Sequence, residues 1–156
     1  MLIAIIAMLI LILIDQIIKY FVICYIPYSM SINCIYNLNL LNFIHARNSG
    51  LAFGILKQYN NKLVLISFIG ISLIIILGYF FKFWSKLQTM NKLSLCMIIS
   101  GGTSNLIDRF IYNAVIDFID FGVNKTRYPV FNIADIYLCI GFILIASSLL
   151  VNKKQS

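Results

Sequence analysis

Two aspartates, Asp117 and Asp135, are the residues of this chain best suited to chemistry. They lie in the segments Val115–Phe118 and Phe131–Asp135 of an apolar chain whose five acidic residues are all aspartates. Two carboxylates within hydrogen-bond reach do not both ionise easily, so one keeps a proton while the other stays charged. The charged carboxylate can take a proton from water, and the protonated one can polarise a peptide carbonyl. The pair therefore predicts peptide hydrolysis of the aspartic-protease type.

The resting protonation of the pair follows from its expected surroundings. We expect Asp135 to be the ionised member, because it lies near the predicted start of a helix, whose dipole stabilises negative charge. Asp117 then keeps the proton. Each aspartate alone also has a structural interpretation. Asn132 is placed to cap that helix with Asp135 in its first turn, and Asp117 is placed to be a solvated residue next to Asp120. The pair at one membrane surface favours catalysis.

The composition predicts a polytopic membrane protein. The chain is 62% hydrophobic and 11% charged, with a mean hydropathy of +0.97, whereas soluble domains are about 45–50% apolar and about 25% charged. Apolar runs near the length of one membrane span, about 20 residues, predict an all-α fold of four transmembrane helices in one domain over 1–156. The first run lacks a basic leader region and a cleavage site, so we expect it to be retained. The runs are Met1–Ile26, Leu63–Phe81, Leu93–Tyr112 and Phe131–Val151.

The distribution of lysines predicts the orientation in the membrane. The segment 82–92 carries three lysines without an acid, and the tail carries Lys153 and Lys154. Dense basic charge marks cytoplasmic segments, so we expect both termini in the cytoplasm and the aspartate pair at the outer face. The net charge of +7 is spread over loops beside anionic lipid, which excludes a nucleic-acid footprint as its explanation.

The first run contains an acid and a base, Asp15 and Lys19. They are four residues apart in the favourable order, acid before base. Charged groups inside a membrane are costly and point to function by default, with a partner to be named. For this pair we favour a structural role, in which each charge makes the other tolerable within the span.

The third run carries one polar stripe. Gly101, Asn105 and Arg109 recur every four residues and so share one helix face. Small residues in such a stripe allow close approach of helices. The guanidinium of Arg109 keeps its charge and must find carboxylates or carbonyls. We expect Arg109 to organise the site by pairing with Asp108 or another acid.

Other site chemistries find little support. His45 is the only histidine, and we expect it to be a solvated loop residue, so neither a serine–histidine dyad nor a zinc site is predicted. The four cysteines lack metal-ligand spacing. Cys24 and Cys34 could face an oxidising compartment and pair, although nothing requires it. We expect no metal and no organic cofactor.

Five short blocks together resemble a known family. In chain order they are Asp15–Lys19, Asn48–Phe53, Gly101–Arg109, Val115–Phe118 and Phe131–Asp135. Each block alone is short and unspecific. Their combined order, from the first span to the fourth, is similar to that of bacterial lipoprotein signal peptidase, also called signal peptidase II.

This resemblance implies an aspartic endopeptidase of the bacterial inner membrane. The implied substrate is a prolipoprotein whose cysteine carries a diacylglyceryl group, with cleavage just before that cysteine. The implied partners are this substrate and membrane lipid, and we expect a monomer. Asp117 and Asp135 match the catalytic dyad of the family. The residues that match its substrate-binding or supporting positions are Asn48, Gly101, Asn105, Arg109, Asn132 and Ala134.

The resemblance also implies parts of the fold outside the spans. The family has a small extracytoplasmic sheet and a surface helix, which the segment 26–62 would supply between spans 1 and 2. A loop containing Phe53 is the expected lid over the site. Two departures from the family pattern bear on the site. Serines replace two glycines in the run Ser100–Asn105, and Ile136 stands where a serine is common.

Two other function classes remain open from the residues alone. A proton-coupled transporter would use Asp15, Asp108 and Arg109 as an ion relay, and its function would depend on Asp15 more than on Asp117. It also requires a polar path through the membrane, whereas spans 2 and 4 carry almost no charge. A non-enzymatic assembly factor would leave both aspartates incidental. Cleavage of a lipid-modified precursor separates these classes.

Overall fold

The computed structural model describes residues 1–33, 40–50, 62–123 and 126–153. Within them the chain forms four helices and four strands. The helices are α1 Leu2–Tyr25, α2 Lys62–Phe83, α3 Thr89–Tyr112 and α4 Ile133–Lys153, and the strands are β1 Ser31–Asn33, β2 Leu41–Asn48, β3 Val115–Val123 and β4 Thr126–Arg127.

Three of these helices, α1, α2 and α4, are long and apolar enough to cross a membrane, over Leu2–Tyr25, Lys62–Phe83 and Ile133–Val151. Their outward residues are apolar and exposed, as lipid-facing surfaces must be, for example Ile3 at 84% and Leu63 at 75% exposure. The third helix, α3, is as long as α1 but more polar. It packs against each of the other three helices.

Contacts along α3 define the direction of its neighbours. Ser104 meets Asp15 of α1, and further along α3 Asp108 meets Lys19, so α1 and α3 run parallel. Asn105 contacts Asp135 near the start of α4, whereas Ser94, earlier in α3, contacts Gly141, so α3 and α4 run antiparallel.

The helix α2 also runs antiparallel to α3. Gly102 lies against Leu73 of α2, whereas Leu95 and Cys96, earlier in α3, pack near Phe80, later in α2. The helices therefore alternate in direction along the chain.

Small residues bring the backbones of α3 and its neighbours together. A Cβ on Gly101 would lie 2.4 Å from the carbonyl oxygen of Ala134, and one on Gly102 would lie 2.8 Å from Leu73 Cδ2. Real Cβ atoms essentially never lie so close to another atom, and the clash at Gly101 is with backbone, whereas the one at Gly102 is with the end of a side chain that can shift. Glycine at these positions therefore permits the close helix packing that the stripe predicts.

The strands form one antiparallel sheet in the order β1-β2-β3-β4. Since β1 and β2 follow α1 while β3 and β4 follow α3, half of the sheet comes from a loop that the sequence did not predict to contribute. The prediction that the whole sheet lies between spans 1 and 2 is therefore wrong. The predicted surface helix does not occur in 26–33 or 40–50, and the rest of its segment lies outside the described residues.

The pairing of β2 with β3 crosses between these two loops. Ala46 lies opposite Asp117 and Asn48 opposite Val115, beyond a bulge that shifts the register between Phe43 and Ala46. The strand β3 starts directly after α3, because Asn113 ends the helix in the left-handed conformation, with φ of 56°. The sheet thus holds Asp117 above the ends of α1 and α3.

His45 differs from its expected place in a solvated loop. It lies in β2, is buried, and its Nδ1 is 3.0 Å from the carbonyl oxygen of Ile26. Because a carbonyl only accepts hydrogen bonds, Nδ1 carries the hydrogen and ties the sheet to the end of α1. The predicted pairing of Cys24 concerns Cys34, which lies outside the described residues and leaves that prediction untested.

Candidate active site

Asp117 lies within β3 and is buried, at 3% exposure. Its Oδ1 accepts a hydrogen bond of 2.7 Å from Asn132 Nδ2, and its Oδ2 accepts one of 3.1 Å from Asn48 Nδ2. Asn48 is itself oriented by the Gly50 amide, which donates to Asn48 Oδ1 at 3.0 Å. The interpretation of Asp117 as a solvated residue is therefore wrong. Its neighbour Asp120 is also buried.

Asp120 belongs to a different cluster of the sheet. It accepts hydrogen bonds from Asn42 Nδ2 at 3.1 Å and from Arg127 Nε at 2.5 Å. The second contact is an ion pair whose side chains are 25% and 11% exposed for Arg127 and Asp120. These contacts join β2, β3 and β4, so Asp120 has a structural environment distinct from that of Asp117.

Asp135 lies in the first turn of α4, where Asn132 caps the helix. The amide of Asp135 donates to Asn132 Oδ1 at 2.9 Å, and the amide of Asn132 donates to Asp135 Oδ2 at 3.3 Å. This reciprocal pair is a capping box. The capping interpretation is thus confirmed, but it does not exclude a functional one, because Asn132 also binds Asp117.

The two carboxylates are joined by amide side chains. Asn132 Nδ2 donates both to Asp117 and, at 3.1 Å, to Asn105 Oδ1, while Asn105 Nδ2 donates to Asp135 Oδ1 at 2.8 Å. Burial, and next the charge of Asp135, raise the pKa of Asp117 to about 7. The hydrogen bonds from Asn48 and Asn132 oppose that rise. Asp117 therefore binds a proton up to nearly neutral pH, unlike a solvated aspartate.

A buried charge cluster lies beneath the carboxylates. Lys19 Nζ is 2.7 Å from Asp15 Oδ2 and 2.7 Å from Asp108 Oδ2, and all three side chains are at most 1% exposed. The predicted pair of Asp15 and Lys19 is thus present, with Asp108 as a third member. Asp108 also accepts a hydrogen bond of 3.1 Å from the Ile116 amide at the start of β3.

Two members of this cluster were not predicted from the sequence. Gln16 Nε2 donates to Asp108 Oδ1 and to Ser104 Oγ, both at 2.9 Å, and Ser104 Oγ donates to Asp15 Oδ2 at 2.7 Å. The available signal was spacing, since Gln16 adjoins Asp15 and Ser104 lies one helical turn before Asp108.

Arg109 departs from its predicted partner. Its Nη2 donates to the carbonyl oxygen of Gly50 at 2.6 Å and its Nη1 to that of Asn105 at 3.4 Å. Among the described residues it forms no ion pair, because Asp108 pairs with Lys19 instead. Its Nε has no hydrogen-bond partner there. Arg109 therefore holds the turn that follows Asn48, through carbonyls and not through an acid.

Gly101 and Ala134 connect α3 to the start of α4. The Ala134 carbonyl lies against Gly101, and the Ala134 amide donates to Asp15 Oδ1 at 3.0 Å. Asp15 thus satisfies one of the free amides of the first helical turn. In the described residues no cluster of three or more metal-binding side chains occurs. The predicted lid residue, Phe53, lies outside them.

Comparisons with known proteins agree with one another. The family model described as signal peptidase (SPase) II matches residues 7–151. A lipoprotein signal peptidase of Sulfurihydrogenibium sp. (strain YO3AOP1) is 39% identical over 119 residues, covering 74% of this chain and 73% of its own. One of Wigglesworthia glossinidia brevipalpis is 38% identical over 115 residues, covering 74% and 72%.

Solved structures match over nearly the whole chain. A bacterial membrane enzyme determined by the in meso method at 2.3 Å superposes with a TM-score of 0.81 at 31% identity, covering 98% of this chain and 90% of its own. A second one, at 1.9 Å, gives a TM-score of 0.76 at 33% identity, covering 94% and 92%.

Fold and comparisons together define a membrane-bound hydrolase of bacteria. The chain belongs to the signal peptidase II family, the aspartic peptidases that cleave signal peptides from prolipoproteins. The transporter and assembly-factor hypotheses are therefore set aside.

Proposed function

We propose that Asp117 and Asp135 are the catalytic dyad of this peptidase, and that it cuts its substrate just before a diacylglyceryl-modified cysteine. The observation that carries the proposal is the amide bridge between the carboxylates. Asn132 caps the helix that holds Asp135 and donates to Asp117 at 2.7 Å. One side chain therefore fixes the position of both groups.

The proposed reaction uses the two carboxylates in different protonation states. Ionised Asp135 removes a proton from a water molecule, whose oxygen attacks the carbonyl carbon of the scissile bond, while protonated Asp117 donates a hydrogen bond to the carbonyl oxygen. Collapse of the tetrahedral intermediate breaks the C–N bond, and a dyad proton goes to the leaving amine of the cysteine. The raised pKa of Asp117, about 7, supports its role as the protonated member.

Other residues of the site act by positioning in this proposal. Asn48, Asn105 and Asn132 donate to the carboxylates, and Arg109 holds the Gly50 carbonyl next to Asn48. Gly101 and Ala134 set the distance between α3 and α4 at the level of the dyad, where each contacts the other helix. In the wider cluster, Asp15 and Lys19 form the structural pair.

The proposed topology has four transmembrane helices, with α3 as the span shielded by the other three. Both termini lie in the cytoplasm, the dyad lies at the outer face of the inner membrane, and the enzyme works as a monomer. Support comes from the alternating helix directions, which bring the start of α1, the end of α4 and the lysine-rich segment 82–92 to the end of the bundle opposite the dyad. A diacylglyceryl chain and a signal-peptide helix would anchor the substrate at that outer face.

The test is cleavage of a lipid-modified lipoprotein precursor by the purified protein in lipid. Asp117→Asn and Asp135→Asn should each lower kcat by roughly 10²- to 10⁴-fold or more, the range for loss of general acid–base catalysis. Asp120→Asn is the matched control, because it makes the same change in the same strand at a carboxylate that binds Asn42 and Arg127. Parental cleavage by both dyad variants would overturn the proposal.

A further inference from the structure

The ammonium group of Lys19 has a contact outside its ion pairs. Besides Asp15 and Asp108, Lys19 Nζ lies 3.0 Å from Asn105 Oδ1. An ammonium group has three hydrogens to donate and accepts none. Three oxygens at 2.7–3.0 Å therefore match its donors one for one. The ion pairs with Asp15 and Asp108 use only two of the three contacts, so the contact with Asn105 is not needed to neutralise the acids.

This third contact determines which way the amide of Asn105 faces. Because Lys19 only donates, the oxygen of the amide must face it, and the nitrogen must face the other way. On that other side Asn105 Nδ2 donates to Asp135 Oδ1 at 2.8 Å. The buried lysine thus sets the donor that Asp135 receives, although Lys19 has no direct hydrogen bond with Asp135 in the described residues.

The orientation passes on to a second amide. Asn105 Oδ1 also accepts a hydrogen bond of 3.1 Å from Asn132 Nδ2, so the nitrogen of Asn132 must lie on that side. The same nitrogen donates to Asp117 Oδ1, and Asn132 Oδ1 is left to accept from the Asp135 amide. Lys19 therefore determines the orientation of the Asn105 amide and, through it, of the Asn132 amide, and these two amides donate to Asp135 and Asp117.

We propose that Lys19 is a positioning residue of the peptidase: it fixes the amides of Asn105 and Asn132 so that their nitrogen atoms face Asp135 and Asp117. The inference rests on the dyad proposed above and adds a role to a residue otherwise assigned to the structural pair. Lys19 touches neither substrate nor water in this role, and acts only through Asn105.

The need for Lys19 arises during the reaction. While Asp135 is ionised, its own charge favours the nitrogen of Asn105. Once Asp135 has taken a proton from water, its new O–H group can donate to an amide oxygen. Asp135 would then accept an Asn105 side chain rotated so that Oδ1, and not Nδ2, faces it. Lys19 opposes this rotation, because it would bring Asn105 Nδ2 to face Lys19 Nζ, and both groups are donors. The dyad therefore returns to its starting arrangement for the next step.

The test must separate this role from simple neutralisation of charge. The charged groups around Lys19 are Asp15 on its own helix and Asp108 and Arg109 on α3, with Asp117 and Asp135 beyond Asn105. Lys19→Met alone leaves two buried acids without their cation and threatens folding. The double variant Lys19→Met/Asp108→Asn removes one charge of each sign, and asparagine keeps an oxygen for the Ile116 amide.

The control is Gln16→Met. Gln16 belongs to the same cluster and loses its hydrogen bonds to Ser104 and Asp108, but it has no hydrogen bond with Asn105 in the described residues. Steady-state cleavage of the lipid-modified precursor gives kcat and KM for each protein, and thermal unfolding in detergent verifies that each is folded. The double variant should lose roughly 10- to 100-fold in kcat, since a misplacement of about 1 Å in a reacting group can cost about 100-fold. Its KM should stay within about two-fold, and Gln16→Met should keep the parental kcat.

Two results would overturn the inference. If the folded double variant keeps the parental kcat, then Lys19 serves only to neutralise the acids. If Gln16→Met loses kcat as strongly as the double variant, general weakening of the cluster explains both. Either result leaves the dyad intact as long as Asp117→Asn and Asp135→Asn are inactive, whereas activity of those two variants would defeat the proposed function itself.

Discussion

Replacing Gly101 with alanine tests whether close packing of α3 against α4 positions the dyad. The added Cβ would lie 2.4 Å from the carbonyl oxygen of Ala134 and 2.9 Å from Leu138 Cγ. Restoring even a 3.0 Å separation requires the carbonyl to move by about 0.6 Å. Overpacking of this kind costs about 1–3 kcal/mol, and the better helix propensity of alanine returns at most about 1 kcal/mol. We therefore expect a net loss of up to about 2 kcal/mol in the free energy of unfolding.

The effect on activity should exceed the effect on stability. Ala134 directly precedes Asp135 in the first turn of α4, so a shift of its carbonyl moves the carboxylate as well. Functional groups need positions accurate to about 0.5 Å, and a displacement of about 1 Å can cost 100-fold in rate. We expect kcat for the lipid-modified precursor to fall about 10- to 100-fold in Gly101→Ala.

The matched control is Gly78→Ala in α2. A Cβ there would meet nothing within 4 Å, so the same change of residue carries no steric cost. Unfolding by denaturing detergent in mixed micelles and steady-state cleavage measure both variants. Gly78→Ala should be as active as the parent and up to about 1 kcal/mol more stable, because it gains the helix propensity of alanine without a steric clash. The reasoning is refuted if Gly101→Ala matches Gly78→Ala in both measurements.

Two further predictions concern pH. Burial and the charge of Asp135 raise the pKa of Asp117 to about 7, so the dyad holds its proton below that pH and loses it above. We therefore expect kcat to fall as the pH rises through 7. A flat profile of kcat from pH 6 to 9 would contradict the assignment of the proton to Asp117. The hydrogen bond from the Asn48 side chain opposes the rise of that pKa, so Asn48→Ala should raise the pH at which kcat falls by roughly one unit. The size follows because a hydrogen bond to a charged group contributes about 1.5 kcal/mol and one pKa unit corresponds to 1.36 kcal/mol. A downward shift of the limit would show that Asn48 does not donate to ionised Asp117.

The helices were predictable from the sequence because the cause of each is local. Lipid requires long apolar segments, and the predicted run Leu63–Phe81 became the helix Lys62–Phe83 with small changes at its ends. Candidate site residues could be picked out of the sequence for a related reason. A polar side chain inside an apolar run is conspicuous, and Asn105 and Asn132 stand out in this way.

The partners of these residues were not predictable, because they depend on packing between distant segments. Arg109 adjoins Asp108 in the sequence, but successive helical residues point in different directions. Asp108 therefore reaches Lys19 on α1, while Arg109 reaches the Gly50 carbonyl beyond β2. The pairing of β2 with β3 was missed for the same reason, since no local pattern records which loop a strand will meet.

The hydrogen bonds around the proposed dyad also bear on how many protons it carries. Burial alone favours two protonated carboxyl groups, which could not activate water. Each of the four carboxylate oxygens, however, accepts a hydrogen bond from an N–H group. Asp117 accepts from Asn48 and Asn132, and Asp135 accepts from Asn105 and from the amide of Asn132. These donors stabilise negative charge on the carboxylates, whereas repulsion between Asp117 and Asp135 opposes ionisation of both at once. One proton on the pair is the state that satisfies burial, donors and repulsion together, and it is the state that the proposed peptide hydrolysis requires.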